Sequence, residues 1–138
     1  MKTLADSRVW SFLLRRKDKS ALSSDEQQAV MSLHDAIQDG RVSIIGPIRQ
    51  EVLSGIKEPA QFEKLRRTLG AFSDEPIPTG DFEEAARLFN LCRSRGVECG
   101  RVDMLLCAVA ARKQWSILTT DGGLTRCIGI LRSEGLLG

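Results

Sequence analysis

The apolar positions of this chain follow two different periods, one typical of β-strands and one typical of α-helices. Short β-rich runs lie at 3–5, 42–45 and 115–119. Apolar residues elsewhere recur every three or four positions, which predicts amphipathic helices starting near residues 7, 24, 47, 60, 79, 101 and 122. Strands that alternate with helices in this way predict parallel pairing through right-handed crossovers. The expected fold is therefore α/β, a three-layer α/β/α sandwich with a short, mostly parallel central sheet.

Local signals indicate where several helices begin. Ser24 and Gln27 have the spacing of a capping box at the start of the second helix. Pro47 suits the first position of the third helix. Thr79 is expected to cap the fifth helix, after a segment at 76–78 whose prolines allow only irregular or edge structure. The last strand is expected to be buried.

Length and composition fit one soluble domain. At 138 residues and 15.2 kDa, the chain is expected to fold as a single domain spanning 1–138. The content of 42% hydrophobic and 28% charged residues disfavours disordered and fibrous classes. No apolar run approaches the roughly 20 residues that span a bilayer, and the start of the chain lacks the apolar stretch of a secretory signal. We therefore expect a cytoplasmic protein. Its net charge of +2 permits a polyanionic partner without requiring one.

The cysteines give no sign of a metal site or a covalent framework. Cys92, Cys99, Cys107 and Cys127 show no CxxC spacing. Cys92 and Cys107 fall on or beside apolar helical stripes, where cysteine behaves as a small hydrophobic residue. We expect all of them to be reduced thiols, without zinc and without a disulfide.

Acidic residues follow strands or lie near the start of helices at four separated places. Asp6 follows the first strand and Asp121 follows the last. Glu51 lies about one turn into the helix that leaves the second strand, and Asp103 lies in the first turn of the helix that leads into the last strand. Because the carboxyl ends of parallel strands meet at one edge of a sheet, this topology predicts that the acids converge there.

Carboxylates that lie close together need a positive charge nearby to offset their mutual repulsion. Two negative charges 4 Å apart repel each other by roughly 4 kcal/mol at an effective dielectric constant of 20. A cluster of four therefore favours a bound cation. Oxygen ligands without histidine or thiolate partners favour Mg²⁺ or Mn²⁺.

Each acid also has a purely structural interpretation. Asp6 can cap the first helix, and Asp103 can interact with its helix dipole. Asp121 can belong to a turn, and Glu51 can be a solvated helix residue. The metal-site hypothesis depends on their shared location, because four unrelated caps and turns would not need to lie at one edge of one sheet.

Other polar and aromatic residues are weaker candidates. His34, the only histidine, lies beside an apolar stripe and is expected to be partly exposed, which disfavours histidine-assisted serine or cysteine catalysis. Basic residues at 15–19, and again at Arg93, Arg95 and Arg101, indicate solvated surface or a rim that contacts a phosphate backbone. Trp10 and Trp115 lie in apolar runs and are expected to pack in the core.

The ordered set of acids and flanking residues resembles the PIN domain family. The matching segments are Leu4–Trp10, Pro47–Leu53, Gly100–Ala108 and Ile117–Asp121, and the resemblance as a whole covers nearly the entire chain. In length and in the order of its acids the chain is similar to the VapC-type ribonuclease toxins of bacterial and archaeal toxin–antitoxin pairs. The ordered set carries this resemblance, since each single motif is unspecific.

The resemblance implies a set of functional residues and partners. It implies RNA cleavage with Mg²⁺ or Mn²⁺, a homodimer, and inhibition by a small antitoxin. The residues it assigns are the catalytic acids Asp6, Glu51, Asp103 and Asp121 and the supporting hydroxyls Ser7 and Thr119. As a mechanism we expect Asp6, Asp103 and Asp121 to hold the metal directly or through water, while Glu51 orients or deprotonates the attacking water. The candidate RNA contacts are Arg8, Arg15, Arg16 and Arg101, and Arg8 stands where a small polar residue is common in the family.

Other function classes stay open. A phosphoacceptor signalling domain also gathers acids and magnesium at this edge, but the chain has no adjacent acidic pair after its first strand. A non-catalytic module would bind RNA or a protein partner without cutting RNA. A phosphatase with an aspartate nucleophile would need a second aspartate at position 8, where Arg8 stands.

Overall fold

The computed structural model of the chain describes residues 1–15 and 18–138. The strands in these ranges are β1 (Thr3–Ala5), β2 (Val42–Ser43) and β3 (Ser116–Leu118). The α-helices are α1 (Ser7–Leu14), α2 (Ser24–Gln38), α3 (Gly46–Leu53), α4 (Pro59–Leu69), α5 (Thr79–Ser94), α6 (Arg101–Lys113) and α7 (Gly122–Ser133). A short 3₁₀ helix lies at Lys19–Ala21. Each predicted helix is confirmed, and the observed starts differ from the predicted ones by no more than about one residue.

The three strands form one parallel sheet with the order β2-β1-β3. In the central strand, Thr3 lies opposite Val42 on one side and Ser116 on the other. Because the strands run in the same direction, their carboxyl ends lie at one edge of the sheet. The chain segments that leave β1 and β3 are neighbours at this edge, since the backbone N–H of Asp6 donates to the carbonyl of Leu118 at 3.1 Å.

Helices cover both faces of the sheet. Successive residues of a strand point to opposite faces, and in β1 both Leu4 and Ala5 are almost completely buried, with 0% and 2% exposed. Helix α1 packs against α2 and α3, and α5 packs against α6 and α7. The core includes the fully buried side chains of Trp10, Leu33 and Leu106. This arrangement is the predicted three-layer α/β/α sandwich.

The helix caps differ from the prediction by one residue. Ser23 forms the capping box of α2: its hydroxyl accepts from the N–H of Glu26 at 3.1 Å, and the Glu26 carboxylate accepts from the N–H of Ser23 at 2.9 Å. The prediction of Ser24 and Gln27 was therefore wrong. Thr79 is the first helical residue of α5 rather than its cap. Capping needs extended backbone, which Ser23 has and a residue inside the helix lacks.

Two strands are shorter than predicted. The run at 42–45 contributes only β2, because Ile44 makes an isolated bridge to Asp74 and Ile45 already precedes α3.

Strand β3 is only half buried, so the prediction of a buried strand was wrong. It lies at an edge of the sheet and pairs with β1 on one side only.

The two tryptophans have different environments. Trp10 is completely buried and makes an edge-to-face contact with Phe72, as predicted for a core residue. Trp115 packs against the margin of the core and is half buried. The ammonium groups of Lys2 and Lys113 lie 5.5 and 5.0 Å from the centre of its ring. Its ring therefore also serves as a contact for surface cations.

The prediction of four reduced cysteines was wrong for one pair. Cys99 and Cys127 form a disulfide. They are separated by 28 residues in the sequence, and only the packing of α7 beside the segment before α6 brings them together. Local spacing rules do not detect a pair of this kind. Cys92 and Cys107 are free and buried, as predicted.

The helices are short. The longest, α5, has 16 residues, whereas a span of the bilayer needs roughly 20 apolar residues. Across the described ranges, no helix is both long and apolar enough to cross a membrane.

Candidate active site

Asp6 is a buried acid fixed by hydrogen bonds on both oxygens. It lies directly after β1 as the N-cap of α1 and is only 4% exposed. Its Oδ1 accepts from the backbone N–H of Val9 at 3.0 Å, and its Oδ2 accepts from the hydroxyl of Thr119. Burial raises the pKa of Asp6, while these hydrogen bonds act in the opposite direction. The structural role considered for Asp6 is therefore real, and it also fixes the direction of the carboxylate.

Thr119 connects Asp6 to Asp121. Its hydroxyl donates to Asp6 and accepts from the backbone N–H of Asp121 at 3.0 Å. Asp121 is the N-cap of α7, and its Oδ2 accepts from the N–H of Leu124 at 2.8 Å. The acids that follow β1 and β3 thus belong to one hydrogen-bonded unit, in which each carboxylate keeps lone pairs free for a further ligand.

Asp103 carries the clearest electrostatic signal of the cluster. It is half buried in the first turn of α6. Loss of solvation is the largest cause of a pKa raised to about 6, and the negative charges of Asp6, Glu51 and Asp121 contribute to the same rise. Interactions of this kind act between groups that are close to one another. The four acids therefore lie close enough to interact electrostatically at the carboxyl edge of the sheet.

Glu51 is the exposed member of the cluster. It lies in the second turn of α3, and its charge acts on Asp103. Across residues 1–15 and 18–138, no group of three or more His, Cys, Asp or Glu side chains is arranged so that it could hold a metal ion. The charges of the other three acids act on Asp103, and metal binding by Asp6, Asp103 and Asp121 stays a prediction.

The donor set fits a hydrated hard cation. All four side chains supply carboxylate oxygen, the ligand that Mg²⁺ and Mn²⁺ prefer. Magnesium commonly keeps several water molecules and is bound through only one or two carboxylates. Acids that are close without forming a closed cage suit this mode of binding. Asp6 and Asp121 have fixed orientations, so they are the side chains best prepared for it.

Two glycines allow close contact with the acids, a role that the sequence analysis missed. A Cβ atom at Gly100 would lie 3.2 Å from Oδ2 of Asp103, and one at Gly123 would lie 3.3 Å from Oδ2 of Asp121. Gly100 is the N-cap of α6, and Gly123 is the second residue of α7. Their spacing from the acids, three residues before one and two after the other, was the available signal.

The candidate RNA contacts differ in their position. Arg8 approaches Asp121, with Nη1 3.7 Å from Oδ1, and its side chain is 60% exposed. Arg15 is an exposed residue at the end of α1, and Arg101 lies over the ring of Phe89. Arg16 lies outside the residues that the structure describes. Among the described candidates, Arg8 is the one that contacts the acidic cluster.

Ser7 and His34 have simple environments. Ser7 is the half-buried first residue of α1, next to Asp6. His34 is exposed on α2 and lies 3.7 Å from Asp35. The expectation that His34 is a surface residue is confirmed.

Comparison with known proteins identifies the fold. No protein-family model and no curated protein sequence matches this chain. The chain is similar in structure to the crystal structure of FitAcB from Neisseria gonorrhoeae, with a TM-score of 0.69 and 17% sequence identity over 91% of each chain. At this identity the likeness shows the fold alone.

Proposed function

We propose that this protein is a divalent-metal-dependent endoribonuclease that acts as the toxin of a toxin–antitoxin pair. One observation carries the proposal: acids from four separate elements share a site at the carboxyl edge of a PIN-like sheet, where desolvation and the charges of the other three acids together raise the pKa of Asp103 to about 6. Carboxylates in this number suit a site that binds a hard cation. The fold and the order of the acids agree with the family resemblance.

Each acid has a distinct role in the proposed site. Asp6 and Asp121, held by the N–H groups of the helices they cap, present their remaining lone pairs to Mg²⁺ or Mn²⁺. Asp103 lies beside them and contributes a third carboxylate, directly or through water. Glu51 is exposed and able to reorient, so it suits the acceptance of a proton from the attacking water. The cation, when bound, activates that water and neutralises charge on the phosphodiester.

Arg8 is the proposed phosphate contact. Its guanidinium lies beside Asp121 and is largely exposed, so it is free to turn towards a phosphate at the site. Arginine binds phosphate oxygens through a planar pair of donors. A positive charge at this position also lessens the repulsion between the acidic cluster and the RNA backbone.

The proposal includes a location and protein partners. We propose that the protein acts in the cytoplasm, where it forms a homodimer and is silenced by a small antitoxin. The location comes from the apolar pattern of the sequence, and the homodimer and the antitoxin come from the family resemblance. The FitAcB likeness supports the fold on which that resemblance rests. Copurification of the product of a neighbouring short reading frame is the observation that identifies the antitoxin.

An RNA digestion series tests the proposed activity. The purified chain is incubated with single-stranded RNA in Mn²⁺, in Mg²⁺ and in a chelator. We expect cleavage in the metals, none in the chelator, and a loss of about a hundredfold or more in Asp6→Asn. Asp25→Asn, an exposed acid in the first turn of α2, is the matched control and should cleave normally.

Two results of this series contradict the proposal. The first is equal cleavage by the wild type and Asp6→Asn, which indicates a contaminating nuclease or a different site. The second is RNA binding without cleavage in either metal, which favours a non-catalytic RNA-binding module. Covalent labelling by acetyl phosphate would instead indicate a phosphoacceptor domain.

A further inference from the structure

The disulfide joins the two segments that present Asp103 and Asp121. Cys99 directly precedes Gly100, the N-cap of α6, and Asp103 lies in the first turn of that helix. Cys127 lies on α7, the helix that Asp121 caps. The sulfur of Cys99 also lies 3.3 Å from the carbonyl oxygen of Gly123, so residue 99 faces the first turn of α7. The cross-link therefore joins the segment that leads into α6 to the helix that Asp121 caps.

This location matters because the acids repel one another. The charges of Asp6, Glu51 and Asp121 all act on Asp103. Asp6 and Asp121 are joined through Thr119, so the pair already has a noncovalent connection. Asp103 is instead positioned by its own helix. The disulfide is the covalent connection between that helix and the Asp121 unit, and it opposes their separation.

We infer that the disulfide between Cys99 and Cys127 is a redox-sensitive cross-link, which holds Asp103 and Asp121 together when formed and lets them separate when a thiol reduces it. The inference rests on the proposed function for its consequences in metal binding and RNA cleavage. The effect on the position of the acids follows from the fold.

Reduction of the disulfide proceeds through two thiol–disulfide exchange steps, of which the first takes place at Cys99. Cys99 is 9% exposed and Cys127 is fully buried, so an external low-molecular-weight thiolate attacks the sulfur of Cys99. This step forms a mixed disulfide at Cys99 and expels Cys127 as a thiolate, which takes up a proton. A second thiolate attacks the external sulfur of the mixed disulfide, and Cys99 leaves as a thiolate that is then protonated. Two electrons enter the protein, and two external thiols become one disulfide.

The other two cysteines provide an internal control. Burial raises the pKa of Cys92 above its ordinary value. Burial, together with the charges of Asp103 and Cys92, raises the pKa of Cys107 to about 12. Thiols of this kind are inert because the thiolate is the reactive form. Exchange is therefore confined to the pair that the structure joins. Where thiols are kept reduced, a disulfide is usually transient and serves as a sensor.

The test compares oxidised and reduced full-length protein. Intact mass after alkylation counts the free thiols, hydrogen exchange follows residues 99–104 and 121–127, and titration with Mn²⁺ measures affinity. We expect reduction to speed exchange in both segments and to weaken Mn²⁺ binding roughly tenfold, the lower end of the effect of lost support around a metal site. Cys99→Ser/Cys127→Ser should behave like the reduced wild type in either condition. Cys92→Ala/Cys107→Ala should keep the full redox response.

The outcomes separate this inference from the proposed function. Four alkylated cysteines in the oxidised protein, or identical exchange in the two states, would overturn the inference. The wild-type comparison needs no substitution, so it stands even where a cysteine variant fails to fold. Redox-dependent exchange and Mn²⁺ affinity without RNA cleavage in any state would support the cross-link and contradict the ribonuclease proposal.

Discussion

The acidic site consists of two halves that are built differently. In one half, Asp6 and Asp121 cap α1 and α7, and Thr119 joins them by hydrogen bonds. In the other half, Glu51 and Asp103 lie in turns of α3 and α6. Glu51 is exposed, and the pKa of Asp103 is raised first by desolvation and then by the charges of the other acids. The first half uses its acids to hold the fold together. The acids of the second half are not helix caps.

The two halves of the site should contribute differently to the stability of the metal-free protein. A residue that caps a helix contributes to stability whether or not a metal binds. A half-buried carboxylate that is repelled by three others lowers the stability of the metal-free protein. Substitution of Asp103 and substitutions in the capped half should therefore affect stability in opposite directions, although both should reduce RNA cleavage.

Glu51→Gln should give the largest separation of function from stability. The side chain is exposed, so the amide should leave the melting temperature almost unchanged. Loss of the proton acceptor should reduce cleavage about a hundredfold. Rates measured in Mn²⁺, beside thermal unfolding, check both expectations. Glu83→Gln, an exposed glutamate on α5, is the control, and equal rates for the two variants would remove Glu51 from the mechanism.

Thr119→Val should reveal the opposite behaviour in the capped half. Valine has a similar shape but leaves Oδ2 of Asp6 and the N–H of Asp121 without the hydroxyl. We expect a loss of about 1–3 kcal/mol in the free energy of unfolding. Denaturant unfolding in the presence of chelator measures this loss. Thr119→Ser keeps the hydroxyl and should retain most of the stability; a Val variant as stable as wild type would show that Thr119 does not join the two acids.

Asp103→Asn should stabilise the metal-free protein. The folded-state pKa of Asp103, about 6, is above its ordinary value of 3.8, so its charged form opposes folding. The penalty is absent at low pH and grows as the pH rises from about 4 to about 6. After allowance for screening by solvent, we expect a gain on the order of 1 kcal/mol at neutral pH.

The pH dependence provides the check on this prediction. In chelator, the stability of the wild type should fall relative to Asp103→Asn between pH 4 and pH 6, and the two curves should then run parallel. Urea unfolding at a series of pH values gives the comparison. A variant that is less stable than wild type at neutral pH would mean that Asp103 belongs with the structural acids.

Arg8→Gln should have the smallest effect on stability. Its pair with Asp121 is largely exposed, so the free energy of unfolding should change by less than about 0.5 kcal/mol. RNA binding should show one fewer phosphate contact, with the slope of log K against log salt smaller by about 0.7. Titration of labelled RNA into Asp6→Asn protein, with and without Arg8→Gln, measures this slope. An unchanged slope would exclude Arg8 as a phosphate contact.

Much of the helical framework could be predicted because periodicity and glycine positions are local signals. Helix ends were less certain. Ser23 and Ser24, each followed three residues later by a suitable side chain, fit the same capping motif, and backbone geometry selects between them. The lengths of β2 and β3 depend on which residues find partners across the sheet, which no local pattern contains.

The site could be predicted only to the level of topology. Parallel strands brought Asp6 and Asp121 to the same edge, and the direction of α6 brought Asp103 there. The link through Thr119 needs side-chain geometry. The disulfide depends on how α7 packs, and this determines a contact across 28 residues.

The most direct measurement of the central claim is calorimetric titration of Mn²⁺ into the oxidised wild type, Asp103→Asn and the control Asp25→Asn. We expect saturable binding that is at least about tenfold weaker in Asp103→Asn and unchanged in the control. Equal binding by all three proteins, or no saturable binding by the wild type, would contradict the claim that the four acids form a cation site.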